Sequence, residues 1–176
     1  GIDPLVVNAG EGVSAPIHRT DHALWQYMID LNLSAPSRFL RAAIPVMKEQ
    51  GFGRIVVIAS VASQVGAPYI SAYTAAKHGV LGLVRSAALE VAPFGVTVNA
   101  VCPGYVDTPM TRRTIDTIVA KTGRDPDAGM QTLAQEQGHG KLIEPHEVAA
   151  AVRFLIDDLG AINGQGITLD GGKVQI

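Results

Sequence analysis

The sequence predicts an α/β fold, a parallel sheet of about four strands with helices on both faces, and three observations carry that expectation. Short β-branched runs alternate with longer helical stretches. Two of the runs, residues 54–60 and 96–101, are apolar without alternation, the composition of strands covered on both sides. Gly and Pro punctuate nearly every junction between them.

Leu5-Val6-Val7 opens the chain as a buried strand, and Asn8-Ala9-Gly10 with the polar residues to Thr20 reads as a loop. Thr20 and Asp21 are candidate caps for a long helix to about residue 50, with a bend expected at Pro45 and a stop at Gly51-Phe52-Gly53. Residues 54–60 form the second strand, and a loop holding Gly66 and Pro68 leads into a helix over 71–91, closed by Pro93 and Gly95. Residues 96–101 form the third strand, stopped by Pro103-Gly104. Residues 105–142 turn polar, with modest helical periodicity and several glycines, which suits a mobile excursion beside a site. Glu144-Pro145 then opens a helix to about residue 158, and Ile167-Thr168-Leu169 is the final strand. No repeat, linker or low-complexity segment divides the chain, so residues 1–176 read as one domain.

Composition excludes several classes of function. With 47% hydrophobic residues in 176, the chain is long enough to bury one substantial core. A net charge of −2, with Lys and Arg scattered, gives no electrostatic footprint for nucleic acid or an anionic membrane surface. The single cysteine, Cys102, cannot form an intrachain disulfide and follows an apolar run, where a thiol behaves as a small hydrophobe. A reducing, cytoplasmic setting fits. No apolar stretch approaches the roughly 20 residues of a membrane helix, and no basic segment precedes one in the manner of a secretion signal. No metal site is expected.

The sharpest chemical signal is Tyr73-Thr74-Ala75-Ala76-Lys77, early in the 71–91 helix and after Ser60. At spacing i,i+4 a phenol and an ammonium project from one helix face about 6 Å apart. Bringing a phenol from a pKa near 10 to near 7 takes roughly 4 kcal/mol. One ammonium at about 5 Å in an effective dielectric of about 20 supplies about 3 kcal/mol before its own desolvation. Lysine alone is thus expected to be nearly sufficient. Ser60 falls at the carboxyl end of a parallel strand, where open α/β sheets place their ligands. Each fragment alone also has a plain structural reading: a surface Tyr–Lys pair, and a capping Ser.

Taken together, Asn8-Ala9-Gly10, Asn32, Ser60, Tyr73, Lys77, Pro103-Gly104 and Asp170-Gly171-Gly172 stand in the order and spacing of the short-chain dehydrogenase/reductase motifs. The chain resembles the C-terminal part of that family over essentially its whole length. The resemblance implies the Rossmann-like, doubly wound parallel sheet and a hydride transfer between NAD or NADP and a carbonyl compound or secondary alcohol. On it, Tyr73 would be the general acid-base, Lys77 would lower its pKa and hold the cofactor ribose, and Ser60 would position the substrate oxygen. Asn32 would hold a water linking Lys77 to solvent; its plain reading is a kinked mid-helix Asn. Asn8, Ala9 and Gly10 would close on the adenine ribose and brace the sheet. Pro103-Gly104 would lead to Val106, whose backbone groups would meet the nicotinamide carboxamide, and to Thr108, whose hydroxyl would meet the carboxamide or phosphates.

The family's opening strand and glycine-rich pyrophosphate turn have no counterpart here. The stretch Gly10-Glu11-Gly12-Val13-Ser14-Ala15 lies in a polar loop with no helix opening at it. Starting without Met, the chain reads as beginning mid-domain, short of the family's length by on the order of 80 residues. The strand at Val6 would then lack a neighbour, and these residues alone are expected not to form a soluble, active dehydrogenase. An inactive fragment or non-catalytic scaffold is the alternative, with a sugar-nucleotide epimerase or dehydratase of the extended family behind it. The choice between NAD and NADP lies in the missing part.

Residues 105–142 would be the substrate lid. Arg112, Arg113, Lys121 and Arg124 there would meet carrier phosphates, in the manner of relatives acting on 3-hydroxyacyl or 3-oxoacyl thioesters. The family resemblance also implies a homo-oligomer, a dimer or tetramer, packed through the two long helices, with Ala75, Gly79 and Gly82 allowing close approach.

Overall fold

The computed structural model describes residues 1–123 and 125–175, the side chains of Ile118, Lys121 and Thr122 excepted. Four parallel strands, β1 (Pro4–Val7), β2 (Gly53–Ile58), β3 (Val96–Pro103) and β4 (Gly166–Leu169), lie side by side in chain order. The helices are α1 (His22–Ile29), α2 (Ala35–Gln50), α3 (Ser71–Val91), α4 (Pro109–Thr122), α5 (Pro126–Gln135) and α6 (Pro145–Asp157).

The period-2 alternation of a strand divides β2 and β3 between two cores. Ile55, Val57, Val96, Val98, Ala100 and Cys102 face α2 and α3, meeting Leu40, Ala43, Met47, Val80, Val84 and Val91. Val56 and Val101 face the other way, onto α6 through Leu155 and Val152. The two-sided burial read from unbroken apolar runs is therefore real, and the sheet is doubly wound. Buried Cys102 acts as the small hydrophobe expected of it, its thiol pushed up to about 11, chiefly by burial.

Local signals fix the element ends. Asp21 caps α1, its carboxylate accepting from the Leu24 amide at 2.8 Å. Glu147 reaches back to the Glu144 amide at 2.8 Å ahead of α6. Gly95 turns the chain from α3 into β3 at φ 70°, and a methyl group placed on it would lie 2.5 Å from the Gly51 carbonyl oxygen. Gly95→Ala is expected to destabilise the fold by about 2–3 kcal/mol, from left-handed strain plus a backbone clash. The shift of the urea midpoint at unchanged slope checks it.

Several sequence expectations need correction. The long helix to residue 50 is interrupted by a π-helical turn over Asp30–Ser34 that the sequence does not foretell, and Pro45 sits inside α2. A widened turn of this kind often marks a functional site, and this one carries Asn32. The second strand ends at Ile58, so Ser60 lies just past it. The polar stretch 105–142 holds two helices, α4 and α5, packed together where Gly129 meets Ile115. Half-exposed Gly79 also meets its own chain: a methyl group there would lie 2.8 Å from Leu33. Val6 stands exposed on β1, an edge strand of the four.

Candidate active site

The carboxyl ends of β2 and β3 bring the chemical residues together. Ser60 caps the single turn Val61–Ser63: its Oγ accepts from the Ala62 amide at 3.1 Å, while the Ser63 hydroxyl accepts from the Ser60 amide at 3.2 Å. The capping reading is correct, and the Ser60 side chain nevertheless lines a cleft of about 390 Å³ that Tyr73 also lines. Lys77, one turn along α3 from Tyr73, turns under the sheet end and donates to the Ile58 carbonyl at 2.9 Å. Lys77 is 5% exposed, and its ammonium carries three donors, of which one has a partner among the described residues.

Asn32 completes the group. It is fully buried, and its Nδ2 donates to the carbonyls of Glu11, at 3.0 Å, and Met28, at 3.1 Å. Its Oδ1 accepts from the Glu11 amide at 3.3 Å. The bulge in the helix is thus tied to the loop after β1. A methyl group on Gly10 would lie 2.9 Å from Asn32 Oδ1 and 3.6 Å from Lys77 Nζ, so glycine is what lets the three meet. Asn32→Ala is expected to cost about 3 kcal/mol of stability by orphaning buried backbone groups. Asn32→Asp should recover less than half of this, because the lost amide donor served two carbonyls; chemical denaturation of both variants checks it.

The electrostatics correct the expectation that lysine alone brings the phenol near neutrality. Burial pushes the Tyr73 phenol up; the nearby Ser60 hydroxyl pulls it down, and Tyr105 adds a smaller upward push. Burial also pulls the Lys77 ammonium down to about 8. Its nitrogen stands 5.6 Å from the centroid of the Tyr73 ring and is aimed at Ile58. Desolvation is the largest influence on both groups, the part that a spacing argument leaves out.

The remaining expected residues fall around this centre. Asn8 and Ala9 are exposed just past β1. Pro103 ends β3, and the Gly104 amide donates to Leu169 at 2.8 Å as the chain enters the cleft wall. The Val106 carbonyl already accepts from the Thr111 hydroxyl at 2.6 Å, which leaves its amide as the available group. Thr108 caps α4 by accepting from the Thr111 amide at 3.5 Å and donates to the Val106 carbonyl at 3.4 Å, contacts long enough for its hydroxyl to turn elsewhere. Arg112 pairs with Asp107 at 3.1 Å and Arg113 with Glu11 at 3.6 Å. Arg124 and the Lys121 side chain lie outside the described residues.

Some participants carry no sequence signal. Glu11 is held at its backbone by Asn32, while its side chain accepts from Tyr27 at 2.7 Å and pairs with Arg113, joining the loop after β1 to α4. Gln137 fills the space that a side chain at Gly104 would take and donates to the Tyr105 carbonyl at 3.2 Å. Tyr69 stands in the left-handed region at φ 67°, its carbonyl accepting from Ala15 at 2.7 Å, in the loop that leads to α3. Each is a tertiary relationship between residues far apart in sequence.

Comparison with known proteins supports what the geometry implies. A family model described as enoyl-(acyl carrier protein) reductase matches residues 1–173. D-beta-hydroxybutyrate dehydrogenase of Rhizobium meliloti is 40% identical over 174 residues, covering 98% of this chain and 67% of that protein. Cis-4-hydroxycyclohexanecarboxylate dehydrogenase of Sinomonas cyclohexanicum is 39% identical over 99% of this chain and 67% of its own length. A crystal structure of actinorhodin polyketide ketoreductase with NADPH superposes with a TM-score of 0.92 at 33% identity, covering 97% of this chain and 67% of that one. The chain thus spans about two thirds of the length of these relatives. With the doubly wound parallel sheet and relatives of up to 40% identity over nearly its whole length, the chain belongs to the short-chain dehydrogenase/reductase family of oxidoreductases.

Proposed function

We propose that the protein containing this chain interconverts a secondary alcohol and a ketone with a nicotinamide cofactor, using Ser60, Tyr73, Lys77 and Asn32. The observation that carries the reading is the shared cleft of Ser60 and Tyr73, with the buried, under-partnered ammonium of Lys77 directly behind.

The residues fit a cofactor. Two unspent donors on a buried ammonium suit a ribose diol, and no Cβ at Gly10 obstructs the approach to Lys77. The Val106 amide suits the carboxamide oxygen, with the Thr108 hydroxyl beside it. Asn8, Ala9 and Gly10 would flank the adenosine side, and Pro103-Gly104 would set the wall opposite. The bound cofactor would supply or accept the hydride.

In the reducing direction the Tyr73 hydroxyl gives its proton to the carbonyl oxygen, which the Ser60 hydroxyl holds in place. In the oxidising direction Tyr73 takes that proton back. Lys77 keeps a positive charge beside the phenol, and Asn32 Oδ1, whose bond to Glu11 is a long 3.3 Å, keeps a lone pair for a water leading from Lys77 to solvent. Residues 105–142, carrying α4 and α5, act as the lid over the cleft.

The family model's description names an acyl-carrier thioester and the relative of known structure is a polyketide ketoreductase, which together favour 3-oxoacyl thioesters among the substrates. Turnover with NADH and with NADPH on a panel of ketones, alcohols and acyl thioesters tests the reading. No cofactor-linked turnover of any of them would sink it. Trp25, Tyr27, Phe39 and Leu89 are exposed on the long helices, a surface for a dimer or tetramer that light scattering would size.

A further inference from the structure

Charge is distributed unevenly around the cleft. The residues flanking the Ser60–Tyr73 pair carry none: Val61 and Ala62 follow Ser60 directly, Ile70 sits one turn before Tyr73, and Gly12 backs onto the Tyr73 ring, where a methyl group would lie 3.8 Å away. All four line the cleft. The groups charged at neutral pH that join them come from residues remote in sequence, Glu136, Asp170 and Lys173. Asp170 is spent on the backbone, accepting from the amides of Gly172, Lys173 and Val174 at 2.9, 3.2 and 2.7 Å. Two carboxylates and one ammonium leave the wall with no surplus of positive charge. The arginines at the start of α4 add none, because Arg112 and Arg113 are paired with Asp107 and Glu11 and neither lines the cleft.

From this we infer that the site selects a neutral carbonyl compound or secondary alcohol, with uncharged carbon substituents next to the reacting carbon, and rejects short oxo- and hydroxy-acids. The inference rests on the oxidoreductase reading above and narrows its substrate class. A small oxo-acid presenting its carbonyl to Ser60 and Tyr73 carries its carboxylate within a few bonds of that carbon, where the neighbours of the pair, Val61, Ala62, Ile70 and Gly12, bear no polar side chain. Against those four residues an ionised carboxylate surrenders its hydration without gaining a cation or a side-chain donor; other donors of the cleft, Tyr105, Thr111, Thr114, Gln137 and Lys173, come from other elements of the wall. An ester of the same acid makes the same hydrocarbon contacts without that penalty. A volume of about 390 Å³ also leaves room for a ring or a branched chain.

Acetoacetate and methyl acetoacetate differ in charge at nearly constant shape, so kcat/KM for the pair, measured on the full-length natural protein with its preferred nicotinamide cofactor, isolates the effect. The ester is expected to be favoured by at least about 100-fold, within the range by which buried polar mismatches discriminate substrates. Val65, a partly exposed residue of the cleft wall outside the proposed catalytic group, supplies a second reading. Val65→Lys should narrow the preference at least tenfold by bringing in a cation. Equal turnover of acid and ester would overturn the inference and leave the oxidoreductase reading standing, and a preference unmoved in Val65→Lys would show that charge is not what selects. If neither compound nor a neutral cyclohexanone turns over with either cofactor, both readings fall together.

Discussion

Replacing Tyr73 with Phe is expected to lower turnover of the full-length natural protein by about 10³-fold or more, with cofactor affinity within about twofold of the parent. The substitution keeps the ring that packs beside Gly12 and removes only the hydroxyl that lines the cleft with Ser60. General acid-base catalysis accounts for roughly 10²- to 10⁴-fold, so a residual rate above one tenth would exclude Tyr73 as the proton donor. The direction of its pKa adds a second signature. Burial pushes the phenol up, so the acid form needed for ketone reduction persists through neutral pH, whereas the base form needed for alcohol oxidation is scarce there. Oxidation should climb steeply with pH while reduction stays flat until the phenol ionises, and Tyr73→Phe should abolish that contrast. Ser60→Ala should be less harmful than Tyr73→Phe, and the double variant scarcely worse than Tyr73→Phe alone, because the two hydroxyls act on one oxygen.

The sheet was legible in the sequence because unbroken apolar runs have few ways to be buried, and residues 54–60 and 96–101 became β2 and β3 with both faces covered. The helix over 71–91 was legible to the residue, since Pro93 and Gly95 close it chemically. The break at Asn32 was not. A π-helical turn leaves no mark in apolar periodicity, and Pro45, the visible helix breaker, is absorbed within α2. The site shows the same division. Motif spacing brought Ser60, Tyr73 and Lys77 to one strand end, because register in a parallel sheet follows from the runs themselves. It did not show that Lys77 spends a donor on Ile58, that Asn32 grips Glu11, or that Thr111 takes the Val106 carbonyl. Those contacts arise between elements whose packing no local pattern specifies, and they govern how strongly each group is desolvated.

The same desolvation makes Lys77 a burden on the fold. Its ammonium is pulled down to about 8, chiefly by burial, from an ordinary value of 10.5. The unfolded chain therefore binds more protons than the folded one between those two values, and stability rises with pH through that window. Below about pH 8 the penalty is present in full. A gap of this size corresponds to about 3 kcal/mol at 1.36 kcal/mol per unit. Lys77→Met removes the penalty while keeping most of the buried aliphatic length, and it orphans the Ile58 carbonyl at about 1 kcal/mol or more. The expected result is a variant more stable by about 1–2 kcal/mol at pH 7 and catalytically dead. At pH 10.5 the gain should have vanished, because the parent lysine is then neutral in the folded state and only about half charged in the unfolded one, which leaves a residue of the penalty smaller than the lost bond to Ile58. Urea denaturation of both proteins at pH 7 and pH 10.5 reads the effect directly. Loss of stability on substitution at both pH values would mean that the bond to Ile58 outweighs the buried charge. A gain confined to neutral pH, paired with lost turnover, is the result expected of a charge held out of water for its effect on a neighbouring phenol and a bound ribose rather than for the fold.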